Sequence, residues 1–375
     1  MTEFSFDALR RWPDVEAPNL SASDATDRLV LDTAASELAD AAVGDVVAIG
    51  DRYGALALGA AALHGAGGIR VHQDGLSQER AIAANAERLG LSDRVELRPL
   101  DDELVSGARV VLLQLPRSLD ALDEIAGLIA RSASPDARVF AGGRVKHMTP
   151  AMNDVLGTAF GSVSAGLARQ KSRVLTASSP RVGAPQRWPK SRRHDDLGLT
   201  VWAHGAVFSG NQIDVGTRFL LDYLDAVPAG ARDVVDLGCG TGVLATEFAK
   251  RRPDARVTAT DQSAAAAASA HLTAEANRVG DRVTVQRDDG LSAQPDASVD
   301  AVLLNPPFHI GASVHAGIAL KLFAEAGRVL RPGGTLLAVW NSHLQYRAQL
   351  ERLVGRTRQL GRNAKFTVTV SRRLD

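Results

Sequence analysis

The run Asn305-Pro306-Pro307-Phe308 closes an apolar stretch, Val299 to Leu304, and assembles residue types suited to holding an amine. An exocyclic amine on a purine ring is a poor nucleophile, because its lone pair is delocalised into the ring. The Asn305 side-chain carbonyl and the Pro306 backbone carbonyl can each accept one N–H, which aligns the nitrogen and favours a pyramidal geometry. Two prolines restrict φ and lack N–H donors, so the turn is stiff and offers acceptors. Phe308 supplies a ring on which an unpaired base can stack. Asparagine is no general base, so such a site works by positioning and electrostatics, and the proton leaves after transfer.

A second signature, VVDLGCGTGVLA, lies upstream from Val234 to Ala245. Val234 to Leu237 reads as a buried strand, and Gly238, Gly240 and Gly242 form a turn into a helix, where backbone must bend tightly and approach a ligand. Dinucleotide-binding folds use a similar turn. Three features favour S-adenosyl-L-methionine instead. Asp236 precedes the first glycine by two positions, within reach of the cofactor's amino-acid end, and no basic P-loop residue follows to serve a triphosphate. Asp261 closes the next strand, Arg256 to Thr260, where it can accept both ribose hydroxyls. Asp289 follows a third strand and can accept the adenine amine, with Asp288 as competitor. Asp214 is expected to cap the helix after Gly216 and to help close the cofactor pocket. His309 stands next to Phe308; neither His315 nor His343 has a partner at ligand spacing, and no metal site is expected. Trp340 and Tyr346 read as core residues.

These positions require an alternating scaffold. Strands are expected at 233–237, 256–260, 283–287, 299–304 and 335–340, with helices at 215–226, 243–251, 263–279 and 315–330. Arg331-Pro332-Gly333-Gly334 breaks the last helix, and KFTVTVSR closes the sheet as part of an antiparallel hairpin. Asp236, Asp261, Asp289 and Asn305 then all fall at strand C-termini, where ligands bind in such sheets.

The pattern occurs twice. VVAIGDRYGALA (Val46 to Ala57) echoes VVDLGCGTGVLA, and ARVVLLQLPRSL (Ala108 to Leu119) echoes VDAVLLNPPFHI at a similar internal distance. The first copy has lost its chemistry: Ala48 stands for Asp236, Arg52 for Gly240, and Gln114-Leu115-Pro116-Arg117 for the acceptor turn. Tyr53 and Arg52 are expected to fill the space of the cofactor's methionine moiety. The fold class is therefore α/β, with two tandem class I (Rossmann-like) methyltransferase domains and a degenerate N-terminal copy. It divides into 1–180 for RNA binding or scaffolding, 181–199 as linker, and 200–375 as the catalytic domain.

Composition is compatible with two ordinary cores: 375 residues, 45% hydrophobic, with 43 basic and 43 acidic side chains. That balance gives no overall basic field, so nucleic acid needs a local patch. Arg187, Lys190, Arg192 and Arg193 around Trp188 offer one. Cys239 is the lone cysteine, which excludes an intramolecular disulfide and a cysteine-cluster zinc site. The N-terminus lacks the apolar core of a signal peptide and no run reaches membrane-span length, so a cytoplasmic protein without membrane contact is expected, acting as a monomer.

Taken with VFSGNQIDVGTRFLL (Val207 to Leu221), NSHLQY (Asn341 to Tyr346) and KFTV (Lys365 to Val368), the two signatures resemble the "small" methyltransferase domain of the bacterial rRNA guanine-N2 methyltransferases. LPRSLDAL (Leu115 to Leu122), FAGGRVKHM (Phe140 to Met148) and ARQKSRVL (Ala168 to Leu175) are similar to the N-terminal half of that family, and are more typical of the 23S rRNA enzyme than of the 16S enzyme. The resemblance implies methylation of guanine N2 in rRNA, 23S before 16S, naked or in an assembling subunit. Adenine N6 and a protein glutamine amide are alternative acceptors, and a non-enzymatic assembly factor is the remaining alternative.

Overall fold

The computed structural model describes residues 4–183, 185–306 and 312–374, with the backbone path alone at 312–316. Pro307, Phe308 and His309 therefore lie outside the described residues, as does the side chain of His315. The chain divides into two compact units, Met1–Trp188 and Pro189–Asp375.

In the first unit the strands are β1 (Val46–Ile49), β2 (Ile69–His72), β3 (Val95–Leu97), β4 (Val110–Gln114), β5 (Arg138–Arg144), β6 (Phe160–Ala165) and β7 (Ser172–Pro180). The second unit opens with a two-stranded ribbon, β8 (Lys190–His194) and β9 (Leu199–Ala203). It continues with β10 (Asp233–Leu237), β11 (Arg256–Asp261), β12 (Val283–Arg287), β13 (Val299–Leu304), β14 (Leu330–Asn341), β15 (Gly355–Arg362) and β16 (Phe366–Arg373). Each unit holds a seven-stranded sheet, ordered β3-β2-β1-β4-β5-β7-β6 and β12-β11-β10-β13-β14-β16-β15. The two orders are the same when counted within each unit, so the internal repeat seen in the sequence is a repeat of topology.

The central strands are parallel and covered on both faces by helices, which is why VVAI, VVLLQ, VVDL and VDAVLL are near-continuous apolar runs rather than alternating ones. In the second unit one face packs Leu220, Phe248, Leu303, Val339, Phe366 and Val368, while the other packs Val302, Leu304, Phe323, Trp340, Tyr346 and Leu350. Trp340 and Tyr346 are core residues, as expected, and their rings lie 6.0 Å apart.

Two local expectations are corrected. Arg331-Pro332-Gly333-Gly334 does not separate helix from strand. The helix ends at Val329 and β14 begins at Leu330, running through the four residues with a register shift against β13 between Val299 and Ala301. The stretch read as a linker is largely structured. The units divide after Trp188, and Lys190–His194 pairs antiparallel with Leu199–Ala203. Its polar composition is that of an outer strand, with Lys190 to Arg193 exposed, while His194 is buried and the partner strand packs Leu199 and Val201 into the core. Trp188 is buried at 8% exposure and its Nε1 donates to Asp123 Oδ2 at 2.8 Å, with Arg187 bonded to the same carboxylate, so this indole belongs to the core and not to a base-stacking surface.

Candidate active site

Strand order reverses between β10 and β13, and a crevice opens beyond their carboxyl ends at such a point. The register sets the line-up: Leu237 pairs with Leu304 and with Thr260, so Gly238, Asn305 and Asp261 follow at the same level on three adjacent strands. Asp288 and Asp289 follow Arg287, which pairs with Asp261. The strand-end acids and the asparagine expected from the sequence are thus brought to one edge.

At the glycine turn, Gly238, Gly240 and Gly242 all have positive φ, at 70°, 53° and 73°. A Cβ at Gly238 or Gly240 would meet nothing within 4 Å, so open space lies in front of the backbone, whereas one at Gly242 would strike Ala270 at 2.9 Å. The first two glycines admit a ligand and the third admits a packed helix. Gly240 N–H donates to Asp261 Oδ2 at 3.0 Å, and Asp261 Oδ1 accepts from Ser263 N–H at 3.0 Å, which fixes that carboxylate at the end of β11.

Asp236 is 1% exposed; its Oδ2 accepts from Ala245 N–H at 2.9 Å, while its Oδ1 is buried without a hydrogen-bond partner. Burial pushes its pKa up to about 7, the Ala245 amide opposes the shift, and the Asp261 charge adds to it. A buried carboxylate oxygen left open beside an open glycine turn suits the positively charged amino-acid end of S-adenosylmethionine. The residues present fit the cofactor. Cys239, inside the turn, is buried, and burial holds its thiol well above the ordinary pKa.

The two neighbouring acids behave differently. Asp288 is buried and committed locally: Oδ1 accepts from Asp289 N–H at 2.8 Å and from the Ser292 hydroxyl, and Oδ2 accepts from Ala293 N–H at 2.9 Å. Asp289 is partly exposed and pairs with Lys321 at 2.7 Å. That lysine comes from the helix Ala312–Val329 and was not legible as a partner of Asp289.

Asn305 is held from the far side. Its Nδ2 donates to Asp214 Oδ2 at 3.0 Å and to Thr217 Oγ1 at 2.9 Å. Asp214 also caps the helix Val215–Leu221, its Oδ2 accepting from Gly216 N–H at 2.8 Å and Thr217 N–H at 3.2 Å. A carboxylate only accepts, so this contact fixes which end of the amide is nitrogen. Asn305 Oδ1 is left buried, with no partner among the described residues. Gly216 makes the approach possible: a Cβ there would lie 3.3 Å from Asn305 Oδ1 and 3.3 Å from the Phe366 ring. The Asp214-Val215-Gly216-Thr217 segment, expected to cap a helix and close the cofactor pocket, caps that helix and also holds the Asn305 amide through Asp214 and Thr217. Thr217, Gly216 and Phe366 were not legible as site residues. The 91-residue separation of Asn305 from Asp214 leaves only the short D-x-G-T spacing as a signal.

No group of three or more potential metal ligands occurs among the described residues, and none of their helices is long and apolar enough to cross a membrane.

Sheet order and strand-end chemistry together place this chain among the S-adenosylmethionine-dependent methyltransferases with a Rossmann-like sheet. Residues 198–370 match the profile of the methyltransferase small domain, and residues 1–181 that of the RLMG N-terminal domain. The chain is 36% identical to the ribosomal RNA large subunit methyltransferase G of Streptomyces coelicolor, with 96% of each chain covered. It is 35% identical to the protein of the same name from Pseudomonas entomophila, with 97% of each covered. Among solved structures it is similar to the T. thermophilus 16S rRNA N2 G1207 methyltransferase in complex with AdoMet and guanosine. There the TM-score is 0.75 at 21% identity, covering 93% of this chain and 92% of that one, which is a likeness of fold across both units. The chain belongs to the ribosomal RNA large subunit methyltransferase G family.

Proposed function

We propose that the second unit methylates the exocyclic N2 of a guanine in 23S rRNA. The observation that carries this reading is Asn305 Oδ1, a buried amide oxygen with no partner, oriented by Asp214 and Thr217. An unsatisfied buried acceptor costs about 1–3 kcal/mol, and an N–H donor entering the crevice recovers that. The relatives' names point to the large-subunit RNA, and the similar solved structure holds guanosine, whose N2 is an exocyclic amine.

S-adenosylmethionine supplies an electrophilic methyl group on a positively charged sulfur. Asp236 Oδ1 receives the cofactor's ammonium, directly or through water, and Asp261 receives the ribose hydroxyls. Asp289, which is partly exposed, is assigned to the adenine amine in preference to Asp288, which is buried and held by its own turn. Asn305 Oδ1 and the Pro306 carbonyl accept the two N–H bonds of the substrate amine, turning its lone pair toward the methyl carbon. Bound there, the cofactor would give its methyl group to this nitrogen and would leave as the neutral thioether. The methylated nitrogen then loses its extra proton to water, so no general base is needed. Pro307 and Phe308 complete this proposal from the sequence: the second proline stiffens the turn and the phenylalanine stacks on the base.

The test is transfer of labelled methyl to rRNA purified from a strain lacking this gene, with 23S and 16S assayed apart and the product nucleoside identified. Label in N2-methylguanosine of 23S alone is the expected result. Label in N6-methyladenosine, in 16S alone or in protein would overturn the acceptor assignment.

A further inference from the structure

The carboxyl edge of the first sheet encloses a cavity of about 400 Å³, bordered by residues of that unit. Its floor corresponds to the acceptor site of the second unit. Gln114 ends β4 as Asn305 follows β13, and its Nε2 donates to Asp27 in the first turn of the helix Ala25–Thr33, as Asn305 donates to Asp214 and Thr217. Gln114 lines the cavity, and with its nitrogen tied to Asp27 its side-chain carbonyl is the group left to accept. The amide-on-acid arrangement of the acceptor site has therefore persisted in the copy that lost the motif.

The cofactor half has not persisted. Asp51 places its carboxylate on the helix N-terminus, Oδ1 accepting from Gly54 N–H at 3.0 Å and Oδ2 from Ala57 N–H at 2.8 Å. Tyr53 is buried, its hydroxyl donating to Asp14 at 2.7 Å. Asp51 therefore offers no free carboxylate oxygen to the ammonium of S-adenosylmethionine.

What replaces it is a mixed lining with an excess of positive charge, Arg11, Arg52, Arg117, Arg144 and Lys146 against Asp24, Asp27 and Asp51. Arg52, Arg117 and Lys146 border the cavity, are exposed, and have no acidic side chain at ion-pair distance among the described residues; Arg144 beside them is paired with Asp24 at 3.8 Å. His147 reports their convergence: slight desolvation and then the charges of Arg117, Lys146, Arg144 and Arg52 hold its pKa below the usual histidine value. Unpaired cations repel one another, and a rim of them around a base-sized hollow is relieved by phosphate. A volume of this order fits one nucleotide, and a base reaches such a hollow only from an unpaired strand.

We propose that this cavity takes one nucleotide of a single-stranded segment of the RNA substrate, its phosphates on Arg52, Arg117 and Lys146 and its base edge on the Gln114 carbonyl. This rests on the reading above that the substrate is RNA.

The experiment uses the full chain and a fluorescently labelled single-stranded RNA oligonucleotide of mixed sequence, with binding followed by anisotropy across a salt series. The R52E/R117E/K146E variant is expected to bind at least about tenfold more weakly and to lose about 2 from the slope of log K against log salt, since three single-strand phosphate contacts are removed. Gln114→Ala is expected to weaken binding to that oligonucleotide about threefold and to leave binding to an abasic sugar-phosphate strand of equal length unchanged, the loss of one neutral hydrogen bond. Unchanged affinity and slope in the triple variant would overturn the proposal, as would an equal loss toward duplex RNA, which marks a surface patch. An equal effect of Gln114→Ala on both strands would remove the base contact. Cofactor binding measured on each variant separates the outcomes: it stays intact if only this site is lost. Absence of methyl transfer in the wild type would instead count against the catalytic reading, whatever the oligonucleotide shows.

Discussion

Asp51 and Asp236 are both almost completely buried carboxylates at the carboxyl edge of a sheet, and both accept from the amide three residues into the following helix, Ala57 and Ala245. They differ in where they come from and in what they have left. Asp236 sits on β10 and keeps Oδ1 open, while Asp51 sits in the turn, where the second unit has Cys239, and spends both oxygens on its own backbone. The acceptor positions show the same contrast in milder form, with Asn305 Oδ1 buried and unsatisfied and Gln114 at the floor of a positively rimmed cavity. A site of this kind is recognised by the polar atom that the fold leaves unsatisfied, and it is lost when the chain satisfies that atom internally. Burial alone does not discriminate, since both acids are pushed upward by desolvation, Asp51 to about 6 and Asp236 to about 7.

The comparison breaks most visibly at the acceptor. Asn305→Ala is expected to lower kcat about 10²–10³-fold, the cost of removing one preorganised hydrogen-bonding group from a transition state, and to leave cofactor affinity unchanged by calorimetry. Gln114→Ala should leave kcat unaltered. A variant at Asn305 with full turnover would remove it from the reaction.

Next in size is the cofactor acid. Asp236→Ala is expected to weaken S-adenosylmethionine binding about tenfold or more, as for loss of a charged hydrogen bond of about 1.5–3 kcal/mol. A smaller effect belongs to the clamp. Thr217→Val should reduce kcat several-fold, about 1 kcal/mol, with KM for RNA unchanged, because one of two bonds orienting the Asn305 amide is gone. Equal changes in kcat and in cofactor affinity would show a structural role instead.

The smallest effect is on stability. Asp236 has a folded pKa raised from 3.8 to about 7, so its contribution to ligand-free stability is complete below about pH 4 and is lost as pH rises through 7. Asp236→Asn removes that loss and should flatten the decline in Tm of the ligand-free protein between about pH 5 and 8, read by calorimetric scanning. A variant that declines as steeply as the wild type would contradict the assigned burial.

Much of this was legible in the sequence because it is local. Apolar strand runs, a glycine turn and acids at strand ends are decided within a few residues, and the strand bounds at Asp233–Leu237, Val283–Arg287 and Val299–Leu304 agree with those expected. What escaped is long-range or compensatory. The Asp214–Asn305 bond joins residues 91 apart, and the Asp289–Lys321 pair depends on a helix packed later in the chain. The first unit's loss of chemistry was read from Ala48, with Arg52 and Tyr53 expected to fill the vacated space. Tyr53 is buried there, but Arg52 points outward to the cavity rim and the helix amides are taken by Asp51. An aspartate shifted by three positions from strand to turn carries no signature until the backbone is folded around it. Polar ribbons such as Lys190–His194 read as linkers for a related reason: pairing through the backbone leaves little trace in side-chain pattern.

The most direct test is the stoichiometry of S-adenosylmethionine binding to the full chain by isothermal calorimetry, in the wild type and in the Asp236→Ala and Asp51→Ala variants. Two homologous sheets of which the second alone holds the cofactor predict one site per chain, weakened by Asp236→Ala and unchanged by Asp51→Ala. Two sites, or a single site that survives Asp236→Ala and disappears with Asp51→Ala, would contradict it.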